Sequence, residues 1–197
     1  MSETAFFAAV RDHDLETVRS LATEVPSLLD ARAEEGPEKK LTAFHLAALQ
    51  GDADMERLLA ELGADVNARN AENRTALHVA LEHNDTTRDV LIELGCEIDV
   101  CVAACLSLHD RLQALLDADP ALANDASTGL SPLGWCGYYC AVESARMLLD
   151  RGADPDDGSI LCAAQVNCWS IGRMLIEAGV DPNAIDAECE GNALHMA

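Results

Sequence analysis

A chain of 197 residues is long enough for one large domain or two small ones, and at 49% apolar and 24% charged it has an ordinary globular composition. Its formal charge of −22 would repel nucleic acid and anionic membrane surfaces, so neither is expected as a partner, whereas a basic protein segment is compatible with it. No run approaches the 18 apolar residues of a membrane span, and the stretch from Met1 to Asp12 lacks a basic region ahead of its apolar residues, so no secretory leader is expected. Eight cysteines without such a leader predict reduced thiols in a cytoplasmic setting.

The chain repeats itself. Leu41-Thr-Ala-Phe-His-Leu-Ala-Ala48 returns as Arg74-Thr-Ala-Leu-His-Val-Ala-Leu81 and again as Gly191-Asn-Ala-Leu-His-Met-Ala197. Aligned on that string, units start at Thr4, Thr42, Thr75, about Ile98, Ser131, Gly158 and Asn192. They run 4–41, 42–74, 75–97, 98–130, 131–157 and 158–191, with a partial unit at 192–197. We read 1–197 as a single array, in which each unit packs only on its neighbours and no catalytic centre is expected.

Each unit predicts two helices. The first unit pairs Phe6 and Phe7 with a polar face of Arg11, Asp12, His13, Asp14, Glu16 and Arg19, which suits a terminal cap. Residues 31–40 are polar, contain Gly36-Pro37 and are expected to be mobile. In the second unit Thr42 is placed to cap the first helix, Ala47-Ala48 allow close helix approach, and the Leu58-Leu59 pair faces the next unit before Gly63 ends the second helix. The pattern recurs as Leu91-Ile92 before Gly95, as Ala103-Ala104 with Leu115-Leu116, and as Leu148-Leu149 before Gly152. Ser131-Pro132 is a cap followed by proline at the first helical position. Ala163-Ala164, Leu175-Ile176 and Gly179 complete the last full unit. The chain stops six residues into a seventh start without a polar cap, so either a longer natural protein or a natural C-terminus that frays is expected.

Thr75-Ala-Leu-His-Val-Ala80 departs from the T-P-L-H-x-A signature only at Ala76, and Gly63-Ala-Asp-Val-Asn67, Gly152-Ala-Asp-Pro155 and Gly179-Val-Asp-Pro-Asn183 carry the matching post-helix string. In these motifs the chain resembles an ankyrin-repeat protein. The resemblance implies an all-α solenoid of antiparallel helix pairs with β-hairpin fingers. It also implies a concave face, built from first helices and finger tips, that binds another protein without chemistry or cofactor. No small-molecule substrate is evident. Segments 22–41, 63–74, 119–130 and 179–191 are long enough to form fingers, but 95–98 and 152–158 are not, so a partner is expected to straddle gaps. Leu15 to Asp30 also echoes Leu112 to Asn124, each with Pro-x-Leu after a second helix, which divides the array into related blocks of roughly 1–98 and 99–197. The rival reading is a regulatory or tethering module of a larger protein.

Several residues invite a functional role. The resemblance assigns His45, His78 and His195 as structural ties between repeats. Tyr138 and Tyr139 sit where the fifth unit's first helix ends, a ligand-facing position in the family, and serve either as binding anchors or as ordinary packing. Gln50, His83 and Gln165 occupy equivalent helix ends, and Arg69, Asn70 and Glu72 lie in the finger of 63–74. These eight form the candidate contact set. Trp135 falls in an otherwise aliphatic column and is expected in the core, with Trp169 one repeat on. Cys101/Cys105 and Cys136/Cys140 have i, i+4 spacing, open to metal binding or redox switching, but Cys96, Cys136 and Cys140 each replace a small residue of the repeat, where cysteine packs as a compact apolar group. Asp65, Asp99, Asp154 and Asp181 read as turn residues. No nucleophile elbow, phosphate loop or zinc-protease motif is present, and neither a metal site nor a thiol sensor is required to explain the sequence.

Overall fold

The computed structural model describes residues 2–33, 40–83 and 85–183. Within them the protein is all-α, with twelve α-helices and no strand. The chain divides into two compact units, Met1–Glu97 and Ile98–Ala197. The first holds three helix pairs: α1 (Ser2–Arg11) with α2 (Leu15–Glu24), α3 (Ala43–Gln50) with α4 (Ala53–Glu61), and α5 (Ala76–His83) with α6 (Arg88–Glu93). The second holds α7 (Val100–Cys105) with α8 (His109–Ala118), α9 (Pro132–Tyr139) with α10 (Val142–Asp150), and α11 (Ser159–Gln165) with α12 (Trp169–Glu177). Inside each unit first helices pack on first helices and second helices on second helices. No helix among the described residues is long and apolar enough to cross a membrane.

Helices this short are marginal alone and hold their shape through packing. After the terminal helix α1, which keeps an exposed face, the first helices are buried almost all round: Ala43, Phe44, His45, Leu46, Ala47 and Ala48 of α3 are all inside. The second helices bury one stripe. Leu58 and Leu59 both lie inside, but elsewhere only one of each expected pair does, namely Leu91, Leu116, Leu148 and Leu175, while Ile176 is 48% exposed. Each second helix that reaches the Gly-x-Asp string ends on glycine in the left-handed region. At Gly63 (φ +94°) the backbone N–H still reaches the Ala60 carbonyl at 3.0 Å, a geometry an L-residue would strain to keep.

Caps follow the sequence with two exceptions. Thr42 and Ser131 accept from the backbone N–H groups of His45 and Gly134. Thr4, however, lies inside α1, because Ser2 already begins that helix. The fourth unit starts at Val100 rather than Ile98, because the Asp99 carboxylate accepts from Val102 N at 3.1 Å and fixes the first turn there. Asp65, Asp154 and Asp181 do form turns, each accepting from the backbone N–H two residues on, so Asp99 alone departs from the turn role expected of all four.

The expected β-hairpin fingers are not built as ladders. Among the described residues the only pairing is an antiparallel bridge between Arg32 and Thr42. The loops are instead closed by side chains. Asn67 accepts from Glu97 N at 2.6 Å and donates to the Gly95 carbonyl at 3.3 Å. Asn124 does the same in the second unit, with Asp154 N at 2.7 Å and the Gly152 carbonyl at 3.0 Å. The two Pro-x-Leu segments form 3-10 turns, Pro26–Asp30 and Pro120–Asn124, each directly after the second helix of its unit's first pair. Residues 34–39, within the segment expected to be mobile, and the partial unit 192–197 lie outside the described residues.

One charged residue is in the core. Glu56 of α4 is fully buried, and its Oε1 accepts from the Thr87 hydroxyl at 2.6 Å while Oε2 has no hydrogen-bond partner. Loss of solvation pushes its pKa from 4.5 up to about 7. A raised folded-state value makes the acid form the stabilising one: its contribution is complete below pH 4.5 and is lost as pH rises through about 7. Unit 1 should therefore lose about 3 kcal/mol between pH 4.5 and 8 on this account. Urea midpoints measured across that range should fall for the wild type and fall much less for Glu56→Gln, which keeps an acceptor for Thr87. An unchanged slope in the variant would contradict the assignment. The exposed His13–Asp52 pair, which raises the His13 pKa, slopes the same way and accounts for a residual trend.

Candidate functional site

The second unit contains a cleft of about 580 Å³ whose lining includes Ser131, Gly134, Tyr138, Asp154, Asp157 and Gln165. Its floor is the contact between α9 and α11. Those helices touch backbone to backbone at Gly137, where an added Cβ would lie 2.9 Å from Cys162 Cβ and 3.0 Å from the Ser159 carbonyl. The short link 152–158 carries no projecting finger, so that side of the cleft stays low.

The helix start beside this cleft lacks the imidazole tie found in the first unit. In α3, His45 is buried, and its Nε2 meets the Arg74 carbonyl at 3.0 Å while Nδ1 meets the Thr42 hydroxyl at 2.7 Å. Burial pushes the His45 pKa below its ordinary value, and a carbonyl only accepts. Nε2 therefore carries the proton and Nδ1 accepts from Thr42. His78 Nδ1 likewise accepts from Thr75 N at 3.3 Å. The equivalent residue in α9 is Gly134, which leaves the imidazole volume empty. Asp157 supplies the tie instead: the Ser131 hydroxyl donates to Asp157 Oδ2, and Asp157 Oδ1 accepts from Ser159 N at 2.9 Å and from the Ser159 hydroxyl. His195 lies outside the described residues.

The sequence-derived candidates separate by unit. Tyr138, 37% exposed, and Gln165, exposed at the end of α11, both line the cleft. Tyr139 is half-buried beside them in the chain and is not part of the lining. Trp135 is core as expected, its ring N–H donating to the Thr128 hydroxyl at 3.4 Å. Trp169 is 72% exposed and lines a separate recess of about 660 Å³ with Gly172, Arg173 and Ile176.

In the first unit, Gln50 donates to the Arg11 carbonyl at 3.0 Å, and exposed His83 stands 3.6 Å from Glu82. Arg69 donates to Asn73 O and to Glu97, both at 2.8 Å. Asn70 is bonded within its own loop. It is buried, its Oδ1 accepts from Glu72 N and Arg74 N at 2.9 Å each, and its Nδ2 donates to the Glu72 carboxylate, so it closes its own loop. Glu72 remains exposed at that tip.

The expectation that all thiols are reduced also needs correction. Cys140 and Cys168 are joined by a disulfide, with Cα atoms 5.5 Å apart. Cys140 therefore does not pair with Cys136 across its own helix. Cys96, Cys101, Cys105, Cys136 and Cys162 are thiols and all buried. Burial pushes Cys96 up to about 12 and Cys136 well above the ordinary thiol value, which makes both poor nucleophiles. Among the described residues no three His, Cys, Asp or Glu side chains are arranged to hold a metal. The disulfide was readable only by comparing inter-helix turns between neighbouring repeats, 28 residues apart, rather than spacing within a helix.

Comparison with known proteins fits this architecture. Residues 5–101 match the family model for ankyrin repeats, in three copies. The chain belongs to the ankyrin-repeat family. It is 29% identical over 127 residues to neurogenic locus notch homolog protein 1 of Mus musculus and of Cricetulus griseus, a match covering 58% of this chain and 5% of each relative. The chain thus spans only about 5% of the length of those curated relatives. In fold it is similar to the crystal structure of the ankyrin repeat domain of Bcl-3, a member of the IkappaB family, at TM-score 0.51 and 22% identity, covering 98% of this chain and 93% of that one. A second similar structure is the predatory endopeptidase Bd0816 from Bdellovibrio bacteriovorus in complex with immunity protein Bd3460. There the TM-score is 0.53 at 22% identity, over 88% of this chain and 97% of that one.

The two helical glycines of this ankyrin cleft should respond oppositely to alanine. At Gly134 a Cβ would sit 3.4 Å from Ser131 Oγ, an ordinary contact, so Gly134→Ala should stabilise by roughly 0.5–1 kcal/mol through helix propensity. At Gly137 the same change presses on the α11 backbone and should cost roughly 1–3 kcal/mol. Urea unfolding of the two variants would expose an error by giving the reverse order.

Proposed function

We propose that this ankyrin protein is a non-catalytic interaction scaffold that holds a basic segment of a partner protein in the cleft between α9 and α11. The observation that carries this reading is the cleft itself: Tyr138, an aromatic anchor, and the carboxylates of Asp154 and Asp157 line one recess on a rigid helical floor. The net charge of −22 favours a cationic partner and faster encounter at low salt. Assignment as a scaffold rather than an enzyme rests on how the reactive groups are used. Ser131, Ser159 and Asp157 are spent on one another, and the thiols of the described residues outside the disulfide are buried. The complex of an endopeptidase with an immunity protein, similar in fold, supports association with protein as a use of this architecture. The setting proposed is cytoplasmic.

A second reading, a module within a larger protein, is favoured by one fact: the notch homologues match over only 5% of their length. The two readings share the cleft and differ in whether its occupant is another chain or a further domain of this one.

Affinity capture from extract, with wild type beside Tyr138→Ala and Gln165→Ala, tests the cleft. Loss of a central aromatic anchor should weaken capture roughly 30-fold, and raising salt from low to moderate should weaken the wild type by about tenfold. A captured partner that binds both variants within twofold of wild type would remove the cleft from the interface. Capture insensitive to salt would remove the basic segment.

A further inference from the structure

We propose that the Cys140–Cys168 disulfide is a reversible redox staple that controls how tightly the last two helix pairs of the second unit are coupled. Cys140 is the left-handed residue (φ 52°) that reverses the chain between α9 and α10, and Cys168 is the residue that precedes α12. The bond thus joins the turn of one repeat to the turn of the next. The first unit has a non-covalent contact in the same register. His13 is the left-handed residue between α1 and α2, Asp52 precedes α4, and His13 Nδ1 meets Asp52 Oδ2 at 2.5 Å. A contact that is a hydrogen-bonded pair in one unit is covalent, and redox-dependent, in the other.

Accessibility makes the staple addressable. Cys140 is exposed, whereas Cys168 is 3% exposed and the five thiols of the described residues are buried. A dithiol reductant therefore attacks at Cys140 Sγ. Its thiolate forms a mixed disulfide with Cys140, and Cys168 Sγ leaves as thiolate and takes a proton from solvent. The reductant's second thiol then closes on its own sulfur and releases the Cys140 thiol. Two electrons pass from the dithiol, which becomes a cyclic disulfide, to the staple, which becomes two thiols. A disulfide-class oxidant reverses each step. In a cytoplasmic thiol pool such a bond is transient rather than permanent.

Because a repeat contacts only its neighbours, the staple acts locally. Opening it removes the covalent tie between the turn beside Tyr138 and the turn beside Gln165, leaving the α9–α11 and α10–α12 packing to hold the last pair.

The test is hydrogen exchange of the full chain, resolved by peptide, with and without dithiothreitol and with mass labelling of new thiols. Reduction should place two new labels at positions 140 and 168 and speed exchange in 159–177 by at least about tenfold, while α3 and α5 keep their rates. Cys140→Gly, which suits the left-handed turn, and Cys168→Ser should both exchange at the reduced rate whether or not reductant is present. The proposal is overturned if no label appears under native conditions. It is also overturned if oxidised and reduced chains exchange alike in 159–177, or if the two variants keep the oxidised rate.

Discussion

Close approach between neighbouring first helices is the constraint on which the structure depends. A helix of six to ten residues cannot hold itself, and a single pair has too little interior to bury. Contact at backbone range supplies the missing interior, and it is possible only where side chains are small: Ala47 and Ala48 in α3, Ala103 and Ala104 in α7, Gly137 in α9 against Cys162 and Ala163 in α11. Second helices, turns and loops are arranged around that line of contact. Even the cysteines obey it, since five of them serve as compact apolar volume at buried positions.

Polar groups then fix the spacing that packing allows. The His45 imidazole and the Asp157 carboxylate do one job with different chemistry, each joining a helix start to the segment that leads into the next repeat. Ion pairs such as Arg19–Glu61 and Arg151–Asp117 bridge neighbouring second helices at the surface, where they contribute little to stability. The excess of carboxylates lies outside, and Glu56 is the exception, held in the core with one oxygen bonded and the other not.

Periodicity made the fold legible. A string that returns with a capping residue, small residues and, in most units, a terminal glycine states helix, turn and helix, and six pairs are present among the described residues, with the first and fourth starting off the expected mark. What was not read was the covalent contact between repeats. Cys140 was weighed only against Cys136 of its own helix, whereas its turn position brings it to Cys168 of the next repeat. Tyr138 and Gln165 were singled out by their helix-end positions and both line the cleft, whereas nothing in the sequence singled out Gly134, which lines it too. The role of Asn70 within its loop was not legible, because its amide bonds the loop's own backbone through geometry that the sequence does not print.

The two asparagines that join one loop to the next carry a consequence for the chemical lifetime of the protein. Asn67 and Asn124 each use both halves of the amide, the oxygen accepting from a backbone N–H and the nitrogen donating to a backbone carbonyl. An amide offers both, whereas an ionised carboxylate only accepts. Slow hydrolysis to aspartate would keep the acceptor, remove the donor and set a carboxylate against the carbonyl of Gly95 or Gly152. Ageing of this molecule would therefore begin in the loops between repeats, with the helices still intact.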